Sequence, residues 1–278
     1  MGVTLFTRLP RGVTLTEAGI TFLTEARAVL AGAERAAKRA LLAARGQQGE
    51  IAIGLTTSAL LHPLVTSIIG AYARRYPNVA LALQEGNAAD LTDRLASGAL
   101  DAVFLRAVVS RPLGVKFRNL HSEELLVVIP ANHRLAKRRL AEVEIAELAP
   151  ERFILVRRHA APGMYADLVR ACRAAGFEPN ITAEVGRMLS NIALVAAGVG
   201  VSLVPASMQE IRFGGVRYLK LAHPKQLRAP LTIGTRSEET RPTVTNLLDI
   251  TDELKNGIGG RRRDPHRTRA IAPDSARS

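Results

Sequence analysis

The sequence predicts an α/β protein with two lobes behind a long N-terminal helix. A proline-free run rich in Ala, Leu, Glu and Arg fills residues 15–45, which is typical of one long helix. From residue 50 to about residue 256, short apolar runs alternate with helix-like segments, which indicates strands joined by helical crossovers. These segments fall into two α/β units, so we predict two lobes with a ligand-binding cleft between them.

The N-terminal segment LFTRLPRGVTLTEAG, residues 5–19, holds two arginines, a Pro-Arg-Gly turn and the start of the helix. Thr14-Leu15-Thr16-Glu17 fits a capping box, in which a threonine hydroxyl accepts a free backbone N–H and Glu17 reaches back. Gly46 supplies a stop for the helix. We therefore predict a turn segment over 1–14 and a helix over 15–46.

Six apolar residues along this helix recur at alternating spacings of four and three, the pattern of a coiled-coil seam. They are Phe22, Ala26, Val29, Ala33, Ala36 and Ala40. The alanines would let two helices approach closely, and the helix has little chain before it to pack on. We interpret the seam as a dimer contact, and packing on the chain's own body is the alternative.

The first α/β unit has apolar strands separated by amphipathic helices. The predicted strands are 51–55, 79–85 and 100–105, and the helices between them are 62–76 and 88–98. Pro63 suits the first turn of the first helix, and Gly98 suits the end of the second. The apolar character of the strands predicts a parallel sheet, in which 51–55 is a buried strand.

The second unit repeats this alternation. Its predicted strands are 124–130, 152–156, 181–185, 201–205 and 216–221, its helices are 163–176 and 188–198, and a strand over 230–236 and a helix over 243–254 close the chain. We assign 49–257 to one ligand-binding domain. Its lobe I covers about 49–121 and 228–257, and its lobe II covers about 122–227. Residues 258–278 are rich in Gly, Arg, Pro and Asp, which predicts a disordered basic tail.

Polar side chains follow the first two predicted strands and mark a candidate binding site. Thr57 and Ser58 stand where the first strand ends and a helix begins, and Asn87 repeats the arrangement after the second strand. Hydroxyl groups and free backbone N–H groups at such places suit a carboxylate or another anion. The alternative is that these residues are ordinary helix caps.

Three further side chains are candidates for the cleft. Arg106 and Arg157 each follow a predicted strand, and a strand-end arginine could pair with a ligand carboxylate through two parallel hydrogen bonds. Tyr165 could supply an aromatic wall. The alternatives are surface charges for the arginines and a core position for the tyrosine.

Composition limits the class of protein. The net charge is +13 at pH 7, of which the tail contributes six arginines against two aspartates, so basic residues are spread along the chain. Spread charge alone does not indicate nucleic-acid binding. No apolar run approaches the roughly 18 residues of a membrane span. A single cysteine, Cys172, excludes an internal disulfide and favours a reducing, cytoplasmic setting.

Signatures of catalysis are missing from the sequence. It contains no GxSxG elbow, no phosphate-binding GxxxxGK[ST] loop and no dinucleotide fingerprint. The six histidines are scattered, and no pair has the helical spacing of metal ligands. We therefore predict a protein that is not an enzyme and that uses no cofactor and no metal.

Taken together, these residues resemble a LysR-type transcriptional regulator. LFTRLPRGVTLTEAG is similar to the family's wing and the start of its linker helix. IAIGLTTSALLHPLV, RYPNVALALQEGNAADLTDRLASGALDAVFL and LVAAGVGVSLVPAS resemble its effector-binding domain. The last motif also resembles the branch of the family that responds to acids from the breakdown of aromatic and chlorinated aromatic compounds. The resemblance covers nearly the whole chain except the tail.

This resemblance implies two Rossmann-like lobes of the type 2 periplasmic-binding-protein fold, preceded by the remnant of a winged helix-turn-helix domain and a dimerisation helix. It implies a bacterial, dimeric or tetrameric regulator that binds promoter DNA and a small effector, with RNA polymerase as a further partner. Effector contacts carry over to Ser58, Ala88 and Tyr165, where Ala88 replaces a threonine common in the branch and Asn87 can substitute. Wing contacts with DNA carry over to Arg8, Arg11 and Thr14.

The sequence departs from the family because the helix-turn-helix, which precedes the wing in relatives, is not in it. Arg8 and Arg11 alone could bind phosphates but could not read bases. Two explanations stay open: the gene starts upstream of Met1, or the product is truncated. A two-lobed solute-binding protein without a DNA function is the alternative from another functional class.

Overall fold

The computed structural model describes residues 2–106, 108, 110–138, 141–156, 163–223 and 227–260. The strands are β1 (Phe6–Leu9), β2 (Gly12–Leu15), β3 (Gly49–Leu55), β4 (Val79–Glu85), β5 (Ala102–Leu105), β6 (Val115–Pro130), β7 (Glu142–Val143), β8 (Arg152–Val156), β9 (Asn180–Val185), β10 (Ser202–Pro205), β11 (Val216–Leu221) and β12 (Arg228–Arg236). The α-helices are α1 (Glu17–Ala44), α2 (Thr57–Leu60), α3 (Pro63–Arg75), α4 (Ala88–Ala96), α5 (Arg134–Lys137), α6 (Gly163–Ala174), α7 (Met188–Ala196) and α8 (Pro242–Gly260).

An antiparallel hairpin of β1 and β2 leads directly into the 28-residue helix α1. The cap of this helix is Thr16, whose Oγ1 accepts the backbone N–H of Gly19 at 2.9 Å and donates to the carbonyl oxygen of Thr4 at 2.8 Å. The predicted capping box that begins at Thr14 is therefore wrong. Thr14 pairs with Thr7 in the hairpin, so the backbone stays extended for two residues more than predicted.

Helix α1 stands away from the rest of the chain. Gly19 is its only buried residue. Large apolar side chains on the helix are open to solvent, with Val29 70% and Leu30 66% exposed. This exposure does not support the alternative that the predicted seam packs on the chain's own body, and it leaves an apolar helix face without a partner.

The end of α1 is fixed to the first lobe through Gly46, as the predicted helix stop requires. Gly46 has a φ of 63°, a left-handed conformation that favours glycine. The side-chain amide of Asn246, on α8, donates to the carbonyl oxygens of Arg45 and Gly46 at 3.1 and 3.2 Å. The direction in which α1 leaves the domain is therefore set at this junction.

Lobe I is built on a sheet whose strands run in the order β4-β3-β5-β12-β6. Alternate residues of β5 face opposite sides: Phe104 joins a core with α3 and α8, and Val103 joins a core with α4. Strand β4 lies at the edge, where Leu83 is 45% exposed. Strand β4 is therefore less covered than β5, all of whose residues are buried.

Two long strands connect the lobes. Strand β6 is 16 residues long, whereas the sequence predicts only 124–130, and its first half pairs with β12 in lobe I. Its second half pairs with β10 and β11 in lobe II. The register of β6 and β12 shifts between Leu231 and Thr232, close to the crossing point. A single strand therefore belongs to both sheets and limits how far the lobes can separate.

Lobe II has β6 at its centre, with β11 and β7 on one side and β10 on the other. The parallel pair β8 and β9 continues the sheet through a bridge between Phe153 and Val201. One core lies under α6 and includes the fully buried Cys172, whose pKa burial raises to about 11. A second core lies under α7. None of the helices in the described part of the chain has the length and apolar character that crossing a membrane requires.

Replacing Gly46 by Ala should destabilise the domain. A Cβ atom at residue 46 would lie 2.5 Å from the carbonyl carbon of Pro242 and 2.6 Å from the nitrogen of Thr243. The left-handed backbone alone costs an L-residue about 1–2 kcal/mol, and the clash adds to it. The free energy of unfolding from urea titrations measures the loss. Gly32→Ala is the control, because a Cβ there meets only Arg35 at 3.7 Å. An equal loss in both variants would contradict the account of the junction.

Candidate functional site

A cavity of about 620 Å³ lies between the lobes, where strands of both sheets end. Its lobe I wall follows β3 and β4, and its lobe II wall follows β8 and β9. The lining residues are Thr57, Ser58, Glu85, Gly86, Asn87, Ala89, Asp90, Val156, Gly186, Arg187 and Met188. Ligands of α/β proteins bind in such crevices at the carboxyl ends of the strands. The structure thus brings together Thr57, Ser58 and Asn87 as the sequence predicts, although their binding role stays a prediction.

Thr57 and Ser58, which follow β3 in the lobe I wall, differ in their hydrogen bonds. The hydroxyl of Thr57 donates to the carboxylate of Glu85 at the end of β4. Ser58 is buried, and its carbonyl oxygen accepts a hydrogen bond from Arg106 Nε at 3.0 Å. Ser58 therefore lines the cavity while Arg106 fixes its backbone by a hydrogen bond. The hydroxyl proton of Thr57 is already donated to Glu85.

The β4 end of the same wall is a capped helix terminus. Asn87 Oδ1 accepts the backbone N–H of Asp90 at 2.9 Å, and Asn87 Nδ2 donates to the carboxylate of Asp90. Ala88 is 1% exposed and packs in the core under α4, while its neighbour Ala89 lines the cavity. This geometry corrects the prediction for Ala88, because a one-residue step on a helix turns the side chain away from the cleft.

The lobe II wall contains residues that the sequence analysis missed. Gly186, Arg187 and Met188 join β9 to α7 and face the cavity. Arg187 is the N-cap of α7, and its side chain makes no capping hydrogen bond, so the first backbone N–H groups of this helix lack a side-chain acceptor. The sequence pattern that predicts Thr57 and Asn87 also applies to Arg187, because Arg187 likewise follows a predicted strand.

Arg106 does not line the cavity but lies behind it in a buried network. It is 4% exposed, its Nη2 donates to Ser207 Oγ at 2.7 Å, and its Nη1 lies 2.5 Å from Glu123 Oε1. Glu123 in turn accepts the backbone N–H of Ser207 at 2.6 Å. Arg106 comes from lobe I, Glu123 from the connecting strand β6, and Ser207 from lobe II. The network therefore joins both lobes.

This pairing corrects the prediction that Arg106 pairs with a ligand carboxylate. Burial lowers the pKa of Arg106, and the negative charge of Glu123 opposes that shift. The guanidinium keeps its charge, because arginine is not deprotonated in proteins, and Glu123 compensates that charge. A ligand carboxylate would have to displace a carboxylate that two groups of Ser207 already bind.

His62 completes this network as a neutral side chain. Its Nδ1 accepts the backbone N–H of Leu64 at 3.0 Å, and its Nε2 lies 3.9 Å from Glu123 Oε1. Burial and the positive charge of Arg106 lower the pKa of His62 to about 4, although Glu123 opposes the shift. His62 therefore caps α3 and adds no charge to the network at neutral pH.

The remaining predicted site residues fall in other places. Arg157 lies outside the described residues, and the side chain of Tyr165, on α6, does as well. Arg8 lies on β1, Thr14 on β2 and Arg11 at the turn between them, and all three are exposed. In the part of the chain that the structure describes, no group of three or more metal-ligating side chains could hold a metal ion.

Glu123→Gln should destabilise the protein strongly, because it leaves the charge of Arg106 buried without a partner. Breaking a buried ion pair from one side costs about 3–5 kcal/mol. Glu124→Gln, one residue along β6 and outside the network, should change the free energy of unfolding by less than about 0.5 kcal/mol. The double variant Arg106→Met with Glu123→Leu should recover much of the loss. Urea titrations measure the free energy of unfolding of each variant. Equal losses in Glu123→Gln and Glu124→Gln would refute the network.

Sequence comparisons agree with this architecture. The family model described as "LysR substrate binding domain" matches residues 44–255. Among curated proteins, the chain is 33% identical over 246 residues to YnfL, an uncharacterized HTH-type transcriptional regulator of Escherichia coli (strain K12). That match covers 88% of this chain and 82% of YnfL.

Solved structures give the same result. CbnR, a LysR family transcriptional regulator, superimposes with a TM-score of 0.79 at 26% identity, over 90% of this chain and 85% of CbnR. CbnR in complex with its target DNA gives 0.77 at 25% identity, over 91% of this chain and 85% of that one. The effector-binding domain of BenM with its effector benzoate gives 0.64 at 27% identity, over 81% of this chain and 99% of that domain.

These findings favour a transcriptional regulator over the alternative of a solute-binding protein. The relatives are named as transcriptional regulators and not as enzymes, and nothing in the comparisons supports a solute-binding protein. The cleft is that of a type 2 periplasmic-binding-protein fold. This chain belongs to the LysR family of transcriptional regulators and contains the family's effector-binding domain.

Proposed function

We propose that this regulator senses a small molecule with a carboxylate group, which binds in the 620 Å³ cavity between the lobes. The volume suits a small organic ligand, since such pockets usually measure about 300–1,000 Å³. The observation that carries the proposal is the lobe II wall, where Arg187 and the uncapped start of α7 line the same cavity as Ser58 of lobe I. Helix N-termini and arginine both bind carboxylates.

The charges of the cavity favour an effector with few negative groups. Glu85 and Asp90 also line it, and their partners Thr57 and Asn87 belong to the same wall. A ligand carboxylate near Glu85 would meet like charge, so the donors at Ser58 and Arg187 are the better place for it. One carboxylate on an otherwise uncharged body fits these charges best. Benzoate, the effector in the BenM structure, has this form, which supports an acid from aromatic degradation.

Binding between the walls would stabilise one arrangement of the lobes over others. Thr57, Ser58 and Asn87 belong to lobe I, whereas Arg187 belongs to lobe II, so a bound acid contacts both. A ligand shifts a conformational equilibrium by its difference in affinity for the two states. The lobes would pass this shift to α1 through the junction at Gly46.

The exposed face of α1 supports a role in oligomerisation. The six seam residues from Phe22 to Ala40 lie in a stretch of the helix without a buried residue. A second copy of α1 would cover them, giving a homodimer or, with further contacts, a homotetramer. Effector binding would then change how two copies of the chain are placed relative to each other.

The hairpin before α1 supports a contact with promoter DNA. Arg8, Arg11 and Thr14 are exposed on one short hairpin, where two guanidinium groups can bind backbone phosphates. Such contacts position a protein on the duplex without reading its sequence. A regulator that binds promoter DNA would act in the bacterial cytoplasm and would act together with RNA polymerase.

Thermal unfolding with a panel of small acids tests the effector site. We expect at least one aromatic or aliphatic monocarboxylate, with benzoate as the first probe, to raise the Tm, because a ligand of the folded state stabilises it. The matching carboxamide, benzamide for benzoate, should not, since it lacks the charge. Ser58→Ala and Arg187→Gln should each weaken binding of that acid about tenfold.

Ser97→Ala is the matched control, because Ser97 ends α4 on the exposed side of lobe I and does not line the cavity. Its affinity for the acid should equal that of the wild type. Equal binding of acid and amide would contradict the carboxylate, and unchanged affinity in both cavity variants would place the site elsewhere.

A further inference from the structure

A second, smaller pocket lies in lobe II next to the cleft cavity. It measures about 30 Å³ and shares two lining residues, Val156 and Met188, with that cavity. Its other lining residues are Leu125, Leu155, Leu168, Asn191, Ser202 and Leu203. A space of this size holds one or two water-sized groups, at about 10–15 Å³ for each. It can admit a substituent of a ligand but not a ring.

The pocket contains one buried acceptor without a partner. Asn191, on α7, is 1% exposed, and its Oδ1 has no hydrogen-bond partner among the described residues. Its Nδ2 donates to Ser202 Oγ at 2.7 Å and lies 3.4 Å from the carbonyl oxygen of Ile154. An acceptor that loses water without gaining a donor is destabilising, so such an atom needs an explanation.

The hydrogen bonds of Ser202 fix which way the amide points. The Ser202 hydroxyl has a single proton, and it donates to the carbonyl oxygen of Ile154 at 2.6 Å. Ser202 Oγ must therefore accept from Asn191, which places Nδ2 on the Ser202 side. The amide oxygen is left to face another donor, and among the described residues that line the pocket no polar side chain besides Asn191 and Ser202 is present.

We propose that this pocket is a recognition site for a hydrogen-bond donor on the effector. A neutral hydroxyl or amino group enters between Val156 and Met188 and donates to Asn191 Oδ1, while the carboxylate is bound at Ser58 and Arg187. The described lining holds no carboxylate, so a charged ammonium group would lose its hydration there without a counter-charge from these residues. The inference rests on the proposed function and narrows its ligand class to hydroxylated or aminated acids.

The test compares ligands that differ by one hydroxyl group on proteins that differ at Asn191. The probes are benzoate, 3-hydroxybenzoate, 4-hydroxybenzoate and phenol, with dissociation constants from NMR titration. In the wild type, at least one hydroxybenzoate should bind about tenfold more tightly than benzoate. In Asn191→Leu this gain should disappear, while the affinity for benzoate changes less than about twofold.

Two further variants support this comparison. Ser190→Ala, at the exposed neighbour of Asn191 on α7, should keep the full hydroxyl gain. Leu168→Phe should remove the gain by filling the pocket from α6 without altering the amide. It provides an independent test if Asn191→Leu fails to fold. Ser202 still satisfies the carbonyl oxygen of Ile154 in Asn191→Leu, so we expect that variant to fold.

The outcomes separate this inference from the proposed function. If the acids bind but the hydroxyl adds nothing in the wild type, or its gain survives in Asn191→Leu and Leu168→Phe, the donor site is wrong and the carboxylate site stands. If the acids do not bind but phenol does, and phenol loses about tenfold in Asn191→Leu, the donor site stands and the carboxylate site falls. If neither acids nor phenol bind, both are wrong.

Discussion

The buried ion pair of Arg106 and Glu123 is the constraint on which the two-lobed structure depends. A guanidinium that is 4% exposed needs a carboxylate partner and further hydrogen bonds, because burying its charge alone is very unfavourable. Here the charge comes from lobe I, its partner from the connecting strand β6, and the remaining hydrogen bonds from Ser207 in lobe II. The interactions that stabilise the buried charge of Arg106 therefore connect lobe I, strand β6 and lobe II. The lobes can rearrange only by changing these bonds or by bending the two strands that connect them.

The same constraint shapes the cavity, since Arg106 also holds the backbone of Ser58 from behind. The two walls then differ in which polar groups have no hydrogen-bond partner within the protein. On lobe I, Asn87 already caps α4 and Thr57 already binds Glu85. On lobe II, the start of α7 lacks a side-chain cap, and its buried Asn191 lacks a donor. A ligand that presents one carboxylate and one donor would satisfy groups that the protein leaves without partners, which is the physical basis for the proposed sensing role.

Much of this fold could be predicted from the sequence, because apolar periodicity and helix signals such as Pro63 and Gly46 are local. The first half of β6 was missed because apolar and polar residues are mixed in it, so that it forms no apolar run. The site was predicted where strand ends carry hydroxyl or amide groups, and Arg187 has the same position. The pairing of Arg106 with Glu123 could not be predicted, because it depends on a contact between lobes that no local pattern records. The unpaired state of Asn191 Oδ1 could not be predicted either, because it depends on the direction in which the hydroxyl proton of Ser202 points.

The structure of the whole chain in complex with a carboxylate effector is the most direct test of the central claim. The account predicts that the carboxylate lies between the lobes, within hydrogen-bond distance of the Ser58 hydroxyl and of Arg187 or the first backbone N–H groups of α7. Arg106 should remain paired with Glu123 in that complex. A carboxylate bound to Arg106 with Glu123 displaced, or an acid bound outside the cleft, would contradict it.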